Sequence, residues 1–113
     1  MAYNLFGWRA LGTATLTDVP NSIPMLYPQV ANISNNVSTV IIETHEDNDA
    51  GTLVYVGNGE QDIAEGLAGF VLKGPLATVR FENQGGLNTL DLDQIYLASS
   101  PKLGKVRVSF ITT

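Results

Sequence analysis

The chain has 113 residues, a length that fits one domain with one hydrophobic core, and its 44% apolar and 15% charged composition excludes an intrinsically disordered chain. Its net charge is −5 and its six lysines and arginines are scattered, which excludes the basic stripe that nucleic acids and anionic membrane surfaces require. There are no cysteines, so disulfides, thiolate metal sites and thiol catalysis are excluded as well.

The first nine residues are rich in aromatic side chains. Tyr3, Phe6 and Trp8 lie within this short segment, which lacks the basic and continuous apolar regions of a signal peptide. Because large aromatic side chains dominate interface energetics, we interpret residues 1–9 as an N-terminal arm that packs on a neighbouring subunit or on a partner surface. The alternative is that the segment forms a first strand or a lid over its own core.

Short β-prone runs separated by turn residues follow the arm. Residues 10–17 predict a first strand, and residues 18–22, with proline and asparagine, predict a turn. The run 23–28 contains two prolines, so we expect an extended edge strand there and no helix. Residues 38–44 are β-branched nearly throughout and predict a strong strand.

The second half of the chain continues in the same style. Residues 52–56 are expected to pair with the strand 38–44 as a hairpin across the acidic turn 45–51. Further strands are predicted at residues 69–72, 77–82 and 105–110, the last with Val106, Val108 and Phe110 pointing inward.

The apolar pattern changes phase between Leu90 and Leu97. Leu90 and Leu92 share one parity, whereas Ile95 and Leu97 share the other. Since side chains on a strand alternate with period two, the two pairs face the core together only if the strand is interrupted. We therefore predict a bulge or corner near Asp93 and Gln94.

These elements predict an all-β protein. No segment shows sustained helical periodicity, and about eight short strands with frequent turns indicate a compact β-sandwich or a jelly-roll-like barrel of short antiparallel strands. No repeat or linker divides the sequence, so we expect residues 1–113 to form a single β-domain.

Three groups of polar residues are candidate sites of chemistry. The acidic segment 46–49 offers oxygen ligands for Ca²⁺, but its spacing does not match a calcium loop, and a solvated turn is expected. His45 is the only histidine, whereas metal sites and catalytic triads need converging partners. Asp91 and Asp93 share one parity, but their flanking leucines predict that both carboxylates face solvent. We therefore expect no enzymatic activity, metal or cofactor.

Several blocks of the sequence, taken in order, carry a family resemblance. They are Ile23-Pro24, Val40-Ile41-Ile42, the VYVG run 54–57, the GFVL run 69–72, the LDLDQIYLAS block 90–99 and the closing KVRVSF strand 105–110. This order resembles a small β-sandwich of tailed-bacteriophage virion proteins, namely the head decoration (cement) proteins and the domains of head or tail fibres.

The resemblance implies a non-enzymatic structural protein. It implies a capsid decoration protein, made in the host cytoplasm and located on the virion's capsid surface, that forms a dimer or trimer and binds the phage major capsid protein. Neither nucleic acid nor membrane is an expected partner. The alternative is a glycan- or receptor-binding β-sandwich module of a phage fibre, in which Trp8, Tyr55 or Tyr96 supplies an aromatic platform.

Overall fold

A computed structural model describes residues 8–30, 37–59, 69–82, 90–100 and 103–112 of the chain. Eight strands account for most of these residues: β1 (Trp8–Thr15), β2 (Asn21–Ser22), β3 (Val37–Thr44), β4 (Leu53–Asn58), β5 (Phe70–Lys73), β6 (Thr78–Glu82), β7 (Ile95–Ser100) and β8 (Lys105–Thr112). One helical turn, α1 (Ile23–Leu26), and two 3-10 turns, Pro28–Val30 and Leu92–Gln94, complete the described elements. The predicted all-β fold is confirmed.

The strands form two four-stranded sheets whose order is that of a jelly roll. One sheet has the order β1-β8-β3-β6 and the other the order β2-β7-β4-β5, and neighbouring strands are antiparallel. Each strand of the first half therefore pairs with its counterpart in the second half: β1 with β8, β2 with β7, β3 with β6 and β4 with β5. This is one long antiparallel ribbon rolled into a sandwich.

The predicted hairpin between residues 38–44 and 52–56 is wrong. The first of these strands is β3, which pairs with β6 and β8, whereas the second is β4, which pairs with β5 and β7 in the opposite sheet. The acidic loop between them crosses from one sheet to the other. Both strands lie inside their sheets, so each satisfies its backbone groups on both sides without the other.

The predicted extended edge strand at residues 23–28 is also wrong. Ile23–Leu26 forms a helical turn, and the amide of Tyr27 donates to the carbonyl of Ile23 at 2.8 Å. Pro24 lies in the first turn, where the missing N–H would have no intrahelical acceptor in any case. Burial of Ile23, which is fully inaccessible, then favours the turn over an exposed strand.

The core lies between the two sheets and follows the alternation read from the sequence. Val106, Val108 and Phe110 of β8 are buried, as predicted. The phase change is also confirmed: a 3-10 turn occupies Leu92–Gln94 and β7 begins only at Ile95. This interruption turns both Leu92 and Leu97 into the core.

A hydrogen bond from a buried tyrosine stabilises a bulge in the edge strand β1. The register between β1 and β8 shifts between Ala10 and Thr13, and Gly12 has a φ of +87° that favours glycine. The hydroxyl of Tyr27 donates to the carbonyl of Gly12 at 2.9 Å. Burial raises the pKa of Tyr27 to about 12.

The two ends of the sandwich differ in character. We call one end the leucine end. It holds the last residues of β1, β3 and β5 and the first residues of β4, β6 and β8. Hydrogen bonds connect the loops at this end, which are 16–17, 44–52, 74–77 and 103–105. At the opposite end, which we call the pocket end, β1, β3, β5 and β7 begin and β4, β6 and β8 finish.

Candidate functional site

The arm residues predicted to bind a partner are only partly within the described part of the chain. Tyr3 and Phe6 lie outside the described residues. Trp8 is the first residue of β1, and its backbone pairs with Ile111 at the pocket end. The arm therefore remains a prediction, with its point of departure now known.

The acidic loop is tied to strand β8. The guanidinium of Arg107 donates two hydrogen bonds to the carboxylate of Glu46. Nη1 donates to Oε2 at 2.7 Å, and Nη2 donates to Oε1 at 2.8 Å. This guanidinium lowers the pKa of Glu46 to about 2. Asn48 accepts from the amide of Lys105 and donates to its carbonyl, both at 2.9 Å. The loop is thus a structural clasp, and no group of three or more metal-ligating side chains converges in the described ranges.

His45 is held by the same clasp. Its Nδ1 accepts from the amide of Asp47 at 3.0 Å, and its Nε2 lies 3.3 Å from Nη2 of Arg107. Both ring nitrogens face groups of the clasp, so the geometry gives His45 a structural role.

The two carboxylates of Asp91 and Asp93 do not form a pair on one strand. Asp91 caps the 3-10 turn, and its Oδ1 accepts from the amide of Asp93 at 2.9 Å. The chain turns between them, and the expected strand face does not exist. Asp91 acts as a turn residue, which is a common use of aspartate.

Two leucines at the leucine end combine high exposure with a left-handed backbone. Leu76 is 59% exposed with a φ of +60°, and Leu103 is 66% exposed with a φ of +72°. Such a conformation costs a bulky L-residue roughly 1–2 kcal/mol. Hydrogen bonds fix both turns: the amide of Leu76 donates to Thr44 at 3.1 Å, and that of Leu103 to Leu16 at 2.8 Å.

The two leucine turns belong to one surface. Thr44 ends β3 and Leu16 follows β1, and these strands lie on either side of β8. The ends of these two strands are therefore two strand spacings apart, or roughly 10 Å. This leucine surface, defined by Leu76 and Leu103, can insert two apolar side chains into a partner.

At the pocket end, an apolar cavity of about 390 Å³ opens between the edge strands β5 and β6. The rings of Phe70 and Phe81, with centroids 5.2 Å apart at 73°, face one another across the two sheets. These two rings line the cavity together with Val56, Gly57, Asn58, Gly69, Leu90, Asp91, Gln94 and Ile95. A cavity of this kind suits an apolar or aromatic side chain with a polar edge.

The outer face of the β2-β7-β4-β5 sheet carries two tyrosines. Tyr55 is paired with Ala98 and Val71 on neighbouring strands, and Tyr96 is paired with Gly57. Both tyrosines are half-buried, whereas Val71 is 51% exposed. The face is therefore apolar and partly accessible.

Sequence reasoning missed the leucine surface and the cavity. It left Leu76 and Leu103 outside the predicted strands, but the composition of a turn does not reveal which residue takes a positive φ. It also placed Phe70 and Phe81 on strands, but their contact depends on a pairing of sheets that local patterns do not contain.

Comparison with known proteins found no significant similarity to this chain. No family model matches it, and neither curated proteins nor solved structures gave a significant match. Within the described ranges, no helix is long and apolar enough to cross a membrane.

Proposed function

We propose that the protein is a non-enzymatic bacteriophage structural protein, a capsid decoration (cement) protein that associates with itself and binds the major capsid protein. The family in this proposal comes from the order of the sequence blocks between Ile23 and Phe110. The jelly-roll sandwich is compatible with it, although a fold alone does not define a function.

The observation that carries a binding role is the strained display of Leu76 and Leu103. Glycine or asparagine would adopt these backbone conformations at lower cost. Because both side chains are mostly exposed, the isolated domain gains little from their burial. A partner that covers them would gain about 1.5–3 kcal/mol for each leucine, which offsets the strain. We therefore assign the leucine surface as the face that contacts the capsid.

Co-sedimentation with capsids tests this proposal. Expanded capsids of the phage that encodes the chain are prepared without the protein, and purified protein is added back at rising concentration. We expect saturable binding of the natural sequence and a roughly tenfold or greater loss for the double variant Leu76→Asn/Leu103→Asn, equivalent to at least about 1.4 kcal/mol.

A matched control separates this surface from general loss of apolar area. Met25→Asn removes a side chain that is 60% exposed in α1, away from the leucine turns. This variant should bind like the natural sequence. Failure of the natural sequence to bind any capsid form would reject the decoration role, and equal binding of the leucine variant would reject the assigned face.

The second candidate is a glycan- or receptor-binding fibre module, and the outer-face tyrosines favour it. Tyr55 and Tyr96 lie on the accessible side of the β2-β7-β4-β5 sheet. Aromatic rings on such a face stack against sugars or host proteins. Glycan-array binding that disappears in Tyr55→Ala, with capsid binding absent, would select this function over the first.

A further inference from the structure

The cavity at the pocket end is lined mostly by apolar atoms. The large apolar side chains of its lining are Val56, Phe70, Phe81, Leu90 and Ile95, and Phe70 remains 48% exposed. An exposed aromatic ring beside an open apolar cavity is the usual mark of a binding surface.

The strand that follows the N-terminal arm in the sequence starts at this same end. Trp8 pairs with Ile111 near the last residues of β8, so β1, which residues 1–7 precede in the sequence, begins at the pocket end. Their sequence carries Tyr3, Leu5 and Phe6, which are the side chains that an apolar cavity accepts. We propose that the cavity binds the arm of a second copy of this chain, with Tyr3 and Phe6 as its anchors.

The length of the arm favours a second copy over the same chain. Strands β1 and β6 are at opposite edges of one sheet, three strand spacings or roughly 14 Å apart. Phe6 precedes Trp8 by two residues, a span of roughly 7 Å when extended. In its own chain the Cα of Phe6 therefore stays roughly 7 Å short of β6, and only Tyr3 can bring its backbone to the cavity. A second copy presents both anchors without this limit.

An exchange of arms between two copies would give an assembly that stops at two copies. If each arm enters the cavity of the other copy, a two-fold dimer uses both arms and leaves neither cavity open. This inference rests on the self-association within the proposed function, and it names the segment and the surface that produce it.

Engineered cysteines test the exchange directly, because the natural chain contains none. Asn4→Cys places a thiol between the anchors, and Asn58→Cys places one on the exposed rim of the cavity. The two single variants, one carrying a mass tag, are mixed and mildly oxidised. The control mixture replaces Asn58→Cys by Thr78→Cys, which is exposed at the leucine end.

We expect roughly tenfold more tagged–untagged disulfide dimer from the Asn4 and Asn58 pair than from the control pair, because docking raises the effective concentration of the thiols. Equal amounts from both pairs would overturn the proposal. The double variant Asn4→Cys/Asn58→Cys gives a second reading: an exclusively intramolecular disulfide would show docking on the same chain and would likewise overturn it.

Light scattering completes the test. Tyr3→Ser/Phe6→Ser should convert the oligomer to a monomer that still unfolds cooperatively, at a lower temperature because association no longer stabilises the folded state, whereas Met25→Ser should leave the oligomer intact. An unchanged oligomer in the arm variant would overturn the exchange. If the protein binds capsids but its copies do not exchange arms, only this inference is rejected. If its copies exchange arms but the protein does not bind capsids, only the decoration role is rejected.

Discussion

The ring of Phe70 on β5 meets the ring of Phe81 on β6 edge to face, with centroids 5.2 Å apart. The two strands are edges of different sheets, so this pair joins the sheets on the side where β5 is followed by β6. It also forms one wall of the cavity at the pocket end.

We expect the two phenylalanines to be energetically coupled. Replacing each with leucine, singly and together, removes the aromatic contact while keeping most of the apolar volume. A double-mutant cycle in urea should give a coupling free energy of about 0.5–1.5 kcal/mol, as aromatic pairs do beyond their burial. Additive effects of the two substitutions would show that the contact contributes nothing of its own.

Tyr27 should make the stability of the fold depend on alkaline pH. Its pKa rises from 10.0 to about 12 in the folded state because burial disfavours the phenolate. Its contribution is therefore complete below pH 10 and is lost as pH rises towards 12, by roughly 1.4 kcal/mol per pH unit and about 3 kcal/mol in total.

The variant Tyr27→Phe isolates this effect. At pH 8 it should be about 1–2 kcal/mol less stable than the natural sequence, since the carbonyl of Gly12 loses its hydrogen bond. Near pH 12 the order should reverse, because phenylalanine has no proton to lose. Urea unfolding at both pH values measures the crossing, with Tyr55→Phe on the outer face as control. Parallel pH curves for Tyr27→Phe and the natural sequence would show that the hydroxyl does not resist ionisation.

Gly104 is required by close packing at the start of β8. A Cβ there would lie 2.9 Å from Cβ of Ser99 and 2.9 Å from Cγ2 of Thr52. Gly104→Ala should therefore cost about 1–3 kcal/mol of unfolding free energy, as overpacked cores do. Gly51→Ala meets no atom within 4 Å and should change stability by less than about 0.5 kcal/mol. If thermal unfolding shows equal effects for both, the close contacts at Gly104 carry no packing cost.

The parts of the fold that could be predicted are those that depend on the alternation of apolar and polar residues along a single strand. The pattern in β8 puts Val106, Val108 and Phe110 in the core without reference to any other strand. The phase change before Ile95 likewise required a corner, because period-two geometry forbids the alternative.

The parts that could not be predicted depend on distant partners or on position within a turn. The pairing of β3 with β6 and β8 is invisible in β3 itself, so sequence proximity suggested β4 instead. Pro24 excludes a helix interior but not a first turn, and burial of Ile23 decided the outcome. The same limit holds for the candidate surfaces: the aromatic residues among positions 1–9 suggested an arm, but the cavity proposed to accept it forms only where the two sheets face one another.

The leucine turns yield a prediction about stability alone, independent of any partner. Leu76→Asn and Leu103→Asn place a residue that tolerates a positive φ into turns already fixed by backbone hydrogen bonds. Each variant should match or exceed the natural free energy of unfolding, by up to about 1 kcal/mol, because little burial is lost from an exposed side chain.

Val19→Asn is the matched control for these two variants. Val19 is 57% exposed in the loop after β1, near the same end, but it has no positive φ. Asparagine there relieves no strain, so its effect in chemical denaturation should be neutral or slightly destabilising. If the leucine variants instead lose more than about 1 kcal/mol, their side chains support the fold, and the strain no longer argues for a binding surface.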